Sequence, residues 1–216
     1  MRLALFALIA LAACQPDAGG APGDAPVFTG DLPAADDGAE VAGFGAFRDS
    51  LRAVAARRDT AALLALVAPD ALVSFGDAPG GPDGVRAVWF DAEPAEPVWA
   101  VLGRILDGGT VEQDGAVVAP AVAALWPDAL APASHVAVPG RDVAAFDAPG
   151  GDVVARLTEI VLPTAGPASG GWQPVTLPDG RSAVVAAAEV QSPVGHRATF
   201  WDDGDGWRVR SFVADD

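Results

Sequence analysis

The sequence predicts an α+β protein: an N-terminal helical α+β unit, then a small β-barrel, then a C-terminal β-hairpin. Three observations predict it. Apolar residues recur at helical spacing between Phe44 and Ile105. From His135 the spacing changes to short runs divided by Gly, Pro or Asp-Gly, the rhythm of a small barrel. Two last runs, Arg197–Trp201 and Trp207–Val213, flank the turn-forming Asp202-Asp203-Gly204-Asp205-Gly206.

The chain opens with Arg2, a short positive segment, and Leu3–Ala13, an apolar stretch of signal-peptide length that is too short to cross a bilayer as a helix. An ordinary secretory peptide or a buried helix would also fit that stretch. Leu11-Ala12-Ala13-Cys14 resembles the lipobox of bacterial lipoproteins, and Cys14 is the one cysteine of the chain. The resemblance implies cleavage before Cys14, acylation of Cys14, and a cell-envelope protein facing the periplasm. Gln15, where an Asp would favour the inner membrane, points to the outer one. Two or more acyl chains hold a protein on a membrane where one is marginal, at about 0.8 kcal/mol per buried CH₂.

Residues 14–40 follow as acylated cysteine and tether. They are rich in Pro, Gly, Ala and Asp without periodicity, and such a chain spans on the order of 30 Å. Residues 41–130 are expected to be the helical α+β domain. Phe44, Phe47, Leu51 and Val54 make one helix face. Asp59 or Thr60 caps a second helix carrying Leu63, Leu64 and Val67, stopped by Pro69. Ala71–Phe75 reads as a strand, Gly76–Gly84 as a loop, and Val85–Phe90 as ambiguous. A helix from Pro97 buries Val98, Val101, Leu102 and Ile105, and Gly108-Gly109 end it. Val117–Trp126 is an apolar run broken by Pro120.

The barrel is placed at 131–191, with strands at His135–Val138, Val143–Phe146, Val153–Leu157, Ile160–Leu162, Trp172–Leu177, Ser182–Ala186 and Glu189–Val190. Residues 192–216 form a hairpin docked on the body. Its aromatic side chains bury too much apolar area to remain in water, and a lone hairpin is marginal.

Charge narrows the partners. The chain carries −16, and loss of residues 1–13 removes Arg2 alone among charged residues, which takes the net charge to −17. Such a surface repels phosphate backbones and anionic headgroups, so nucleic acid is excluded and the membrane is met through lipid. Calcium, magnesium or a basic protein patch stay compatible with it. All 13 basic residues are Arg, and Lys, Asn and Tyr are absent, a pattern of GC-rich coding. A halophile would share the acidity, but the mean hydropathy of +0.30 argues against one. With Cys14 committed to lipid, the fold stands on its core without disulfides.

The stretch 135–191 resembles a bacterial SH3-like domain. Val143-Ala144-Ala145-Phe146-Asp147-Ala148-Pro149, Gly171-Trp172-Gln173-Pro174-Val175-Thr176-Leu177 and Asp179-Gly180-Arg181-Ser182 carry the likeness in order and spacing. It implies a candidate binding groove at Phe146, Trp172 and Arg181. Two departures stand out: Phe146 replaces the family's usual arginine, and Ala183-Val184 replace its Gly-aromatic pair. The whole arrangement is similar to a group of proteobacterial envelope proteins with no assigned activity, through the segments 102–110, 125–128 and 206–213. Arg58-Asp59-Thr60 through Ala71-Leu72-Val73, with the terminal Gly-Trp-Arg strand, resembles nuclear transport factor 2-like cones, which include small isomerases, dehydratases and binding proteins.

No catalytic constellation emerges. His135 and His196 lie in no metal spacing, and either reads as a surface or edge residue more readily than as a catalyst. There is no nucleophile elbow, phosphate loop or dinucleotide fingerprint. Asp202–Gly206 has carboxylates for calcium but no closing Glu, and reads as a turn. The six tryptophans either line a groove or fill cores. The expectation is a non-enzymatic binding or scaffold module without cofactor or metal. Its partners would be the membrane, through the anchor, and an envelope protein or cell-wall component. The alternative is a ligand-binding or enzymatic cone built from the N-terminal half and the terminal hairpin.

Overall fold

The computed structural model describes residues 25–32, 35–92 and 97–214. Cys14 and the leader lie outside the described residues. The protein is α+β, with five helices, two five-stranded open sheets and one two-stranded sheet among the described residues.

The first unit is built on α1 (Phe44–Arg57), whose buried stripe is Phe44, Phe47, Leu51 and Val54. Arg58, in the left-handed region at φ 54°, ends it. Asp59 then caps α2 (Thr60–Ala65), its Oδ1 accepting the Ala62 N–H at 3.0 Å. The following strand, β2 (Val67–Leu72), starts four residues before the expected Ala71 and runs through Pro69. An edge position explains this, because a proline without an N–H costs nothing on the unpaired side. The expected loop Gly76–Gly84 already contains the start of α3 (Gly81–Arg86), with Pro82 in its first turn. A π-helical turn at Ala87–Asp91 continues it and buries Trp89. Further on, α4 (Val98–Asp107) buries Val98, Val101, Leu102, Ile105 and Leu106.

Sequence-distant strands complete this unit. β3 (Val111–Gln113) and β4 (Ala116–Ala119) form a hairpin at one edge. β11 (His196–Asp202) pairs with β4, and β12 (Trp207–Ala214) pairs with β11 and runs parallel to β2. The sheet order is therefore β2-β12-β11-β4-β3, and the terminal hairpin supplies two of its three interior strands. Ala198, Phe200, Val209 and Phe212 face the helices and join one core with Phe44, Leu51, Val101 and Ile105.

The second unit sits between β4 and β11 in the chain. A short helix, α5 (Ala121–Ala124), leads to it. Its strands are β5 (His135–Val138), β6 (Val143–Phe146), β7 (Val153–Thr158), β8 (Ile160–Pro163), β9 (Trp172–Thr176) and β10 (Ser182–Ala186). Of Glu189–Val190, expected as a strand, Glu189 ends a 3₁₀ turn at Ala187–Glu189 and Val190 caps it, and Gln191 bridges Ala137. β5 and β8 form a two-stranded sheet, while β7, β6, β10 and β9 lie in an open five-stranded one. Val138, Leu157, Val175 and Val185 form a shared core between the sheets.

The strands do not close into a ring, and the outer edge of β7 carries a further strand. β1 (Val27–Thr29) runs parallel along it, with Val27 opposite Arg156 and Thr29 opposite Thr158. Residues 26–32 are thus a strap rather than the free tether their composition suggests. Gly30 donates to Thr158 O and Leu32 to Glu159 O, at 3.0 and 2.9 Å. Leu32 is buried with Val122 and Ala137 in a small cluster. Composition misses this because backbone hydrogen bonds along a strand edge need few side chains.

Candidate functional site

Strand alternation decides what the second unit presents. On β10, Ala183 and Val185 face the core, so Val184 and Ala186 face out. Val184 lies opposite Phe146 on one side and Pro174 on the other, and Ala186 lies opposite Trp172. This puts Phe146 and Trp172 on the outer face, both half-buried. Their rings meet edge to face at 5.4 Å between centroids and 81° between planes. Phe146, Val184, Pro174 and Trp172 together form an apolar strip across three strands.

Both ends of the strip are held. The Trp172 backbone exchanges hydrogen bonds with Ser169 at 2.9 and 3.0 Å. Beneath it, the buried Gln173 donates from Nε2 to Gly166 O and Pro174 O, each at 2.9 Å, and fixes the loop beside Trp172. After Phe146, Asp147 accepts the Asp152 N–H at 2.9 Å and closes the next turn. A strip held in this way loses little freedom when it meets a partner.

Arg181 is turned elsewhere. Its Nε donates to Asp179 Oδ2 at 2.8 Å and its Nη2 to Val154 O at 3.2 Å. The hydrogen bond from Arg181 holds Asp179 below the usual carboxylate range. The structure therefore joins two of the three predicted groove residues and leaves Arg181 as a clamp on its own turn.

A second feature lies at the seam between the units and carries no local sequence signal. Asp36 Oδ1 accepts from Arg48 Nη1 at 2.6 Å, Thr110 Oγ1 at 2.7 Å and the Thr110 N–H at 3.0 Å. Burial raises the Asp36 pKa, but the hydrogen bonds from Arg48 and Thr110 and the Arg48 charge outweigh it, and the carboxyl lies below its ordinary value. Gly109 has φ +77°, and a Cβ there would collide with the Ala35 carbonyl oxygen, so only glycine lets the strap pass. Beside this lock is an open cavity of about 310 Å³, lined by Leu32, Asp36, Asp107, Gly108, Pro139 and Gln191.

The histidines have local partners. His135 Nδ1 lies 3.0 Å from Ala131 O and 3.1 Å from Ser134 Oγ. His196 lies with its ring 5.1 Å from that of Trp89. Trp89 also stacks on Phe212 at 4.2 Å, and its buried Nε1 has no hydrogen-bond partner among the described residues. In the terminal turn, Asp202 and Asp203 accept the N–H groups of Gly204 and Asp205 at 2.9 and 3.0 Å, as side chains of a turn do. Among the described residues no three His, Cys, Asp or Glu side chains gather as a metal-binding group, and no helix is long and apolar enough to cross a membrane.

No family model, curated protein or solved structure matches the chain.

Proposed function

We propose that this chain is a lipid-anchored cell-envelope protein that acts as a non-enzymatic binding or scaffold module through an SH3-like unit at residues 131–191. The observation that carries the reading is the Phe146–Trp172 edge-to-face pair on the outer face of β6, β10 and β9. Large aromatic side chains with few rotatable bonds supply contact area at low entropic cost, and they dominate protein recognition surfaces. The surrounding strip offers apolar surface and backbone groups. It contains no nucleophile, acid–base pair or ligand set for chemistry. The lipobox-like Leu11-Ala12-Ala13-Cys14 and Gln15 favour anchoring at the outer membrane, facing the periplasm.

Photo-crosslinking in intact envelopes tests this reading. A photoreactive side chain at position 184, between Phe146 and Pro174, is expected to give a discrete crosslinked species. Trp172→Ala with Phe146→Ala should abolish that species at unchanged protein level and melting temperature. No crosslink from position 184, or one indifferent to both substitutions, would remove the strip from the account.

A second reading is a small-molecule-binding or enzymatic cone formed by the N-terminal half and the terminal hairpin. One observation favours it: the buried Trp89 Nε1 beside His196, without a hydrogen-bond partner among the described residues. The filled interior weighs against it. Phe44, Phe47 and Phe200 contact one another at 5.3 to 6.0 Å in the space where a cone would hold its ligand.

A further inference from the structure

We propose that a groove on the open face of the β2-β12-β11-β4-β3 sheet is a binding site for a neutral saccharide. The helices cover the other face, where Ala198 and Phe200 point. Alternation sends Trp201 outward, opposite Arg208 on β12, and leaves it 45% exposed. The groove beside it has a volume of about 460 Å³, within the range of small-molecule sites, and is lined by Pro69, Asp70, Trp201, Asp203, Arg208 and Arg210.

The charges in this groove are paired before any ligand arrives. Arg210 forms an ion pair with Asp70. Arg208 lies 3.8 Å from Asp203 and donates to Ala65 O at 2.8 Å. The hydrogen bond from Arg210 holds Asp70 below the usual carboxylate range, so Asp70 stays an acceptor. Two guanidinium groups against two carboxylates make the lining neutral in a chain of net charge −16.

That balance selects the ligand class. A cation would have to displace an arginine from its carboxylate, and an anion an aspartate from its arginine. A neutral molecule bearing hydroxyl groups displaces neither. Its oxygens accept from guanidinium N–H groups, its O–H groups donate to the carboxylates, and an apolar face rests on the indole. A pyranose ring has both features, a rim of hydroxyls and faces of C–H groups. The site belongs to the first unit, and the inference does not rest on the Phe146–Trp172 strip.

The test is calorimetric titration of the purified full chain with N-acetylglucosamine trimer, cellotriose and maltotriose. Saturable binding of at least one, with Kd on the order of 0.1–1 mM, is expected. Trp201→Ala should weaken it about tenfold or more, and Trp172→Ala should leave it unchanged. Arg210→Gln, an exposed change, should weaken it as well, and serves if Trp201→Ala fails to fold. Raising salt from roughly 0.05 to 0.5 M should leave the affinity within about twofold, because no net charge is neutralised. No saturation by any of the three sugars at about 10 mM would overturn the proposal. Binding that survives both Trp201→Ala and Arg210→Gln, or that falls steeply with salt, would overturn it too.

Discussion

Phe44 opens the first helix and Phe200 lies in the penultimate strand, yet their rings meet with centroids 5.3 Å apart. Both side chains are fully buried. The contact ties the two ends of the folded chain across the inserted second unit. Phe200→Ala removes a large buried ring from a filled core and should cost about 3–5 kcal/mol. At roughly 2–4 °C per kcal/mol for a chain of this size, melting should fall by about ten degrees. Removal of 196–216 takes out two interior strands, and the first unit should then lose its cooperative melting. Thermal unfolding followed by circular dichroism checks both. An unchanged transition in either variant would contradict the sheet order.

The Asp36 lock predicts a pH dependence with a definite sign. The folded-state pKa of Asp36 is depressed, so the unfolded chain binds the proton more readily. Its contribution is complete above the ordinary carboxylate range, about 3.9, and is lost as the pH falls through the folded value. The side chain is half exposed, which keeps the effect modest. Asp36→Asn should cost about 1 kcal/mol at pH 7, and the difference from the unsubstituted chain should be smaller at a pH below the ordinary carboxylate range, about 3.9. Urea unfolding at both pH values reads it. The same difference at both would separate Asp36 from any charge-dependent role.

Cell-wall peptide is not the expected ligand of the outer strip. The chain has no Tyr and carries strong negative charge, which disfavours the carboxylates of wall peptides. Ala183 is buried, and Val184, not an aromatic residue, faces outward beside Phe146. The full chain should therefore show no Trp172-dependent co-sedimentation with purified sacculi at low and moderate salt. Saturable micromolar binding abolished by Trp172→Ala, with folding intact, would contradict this.

What the sequence made legible was local. The stripe of α1 and α4 follows helical spacing, and the turns around β6, β9 and β10 carry Gly, Pro or Asp-Gly in order. Phe146 and Trp172 could be named before the structure; the bond that turns Arg181 toward Asp179 could not. Pairings between distant segments left no local trace. The strap of Val27–Thr29 reads as linker because its partners are backbone groups of β7. Asp36 and Thr110 are 74 positions apart, and neither stands in a motif. The groove at Trp201 forms only when β12 lies beside β2 and brings Arg210 to Asp70. The helical turn at Gly81 was hidden because glycine and proline signal loops more often than helix starts.

The proposed place in the envelope rests on Cys14, and the intact mass of the protein extracted from membranes tests it most directly. The expected result is a chain that begins at Cys14 and carries acyl groups there, with Cys14→Ser leaving the membrane fraction. An unmodified Cys14 thiol, or a Cys14→Ser protein distributed like the unsubstituted one, would contradict lipid anchoring.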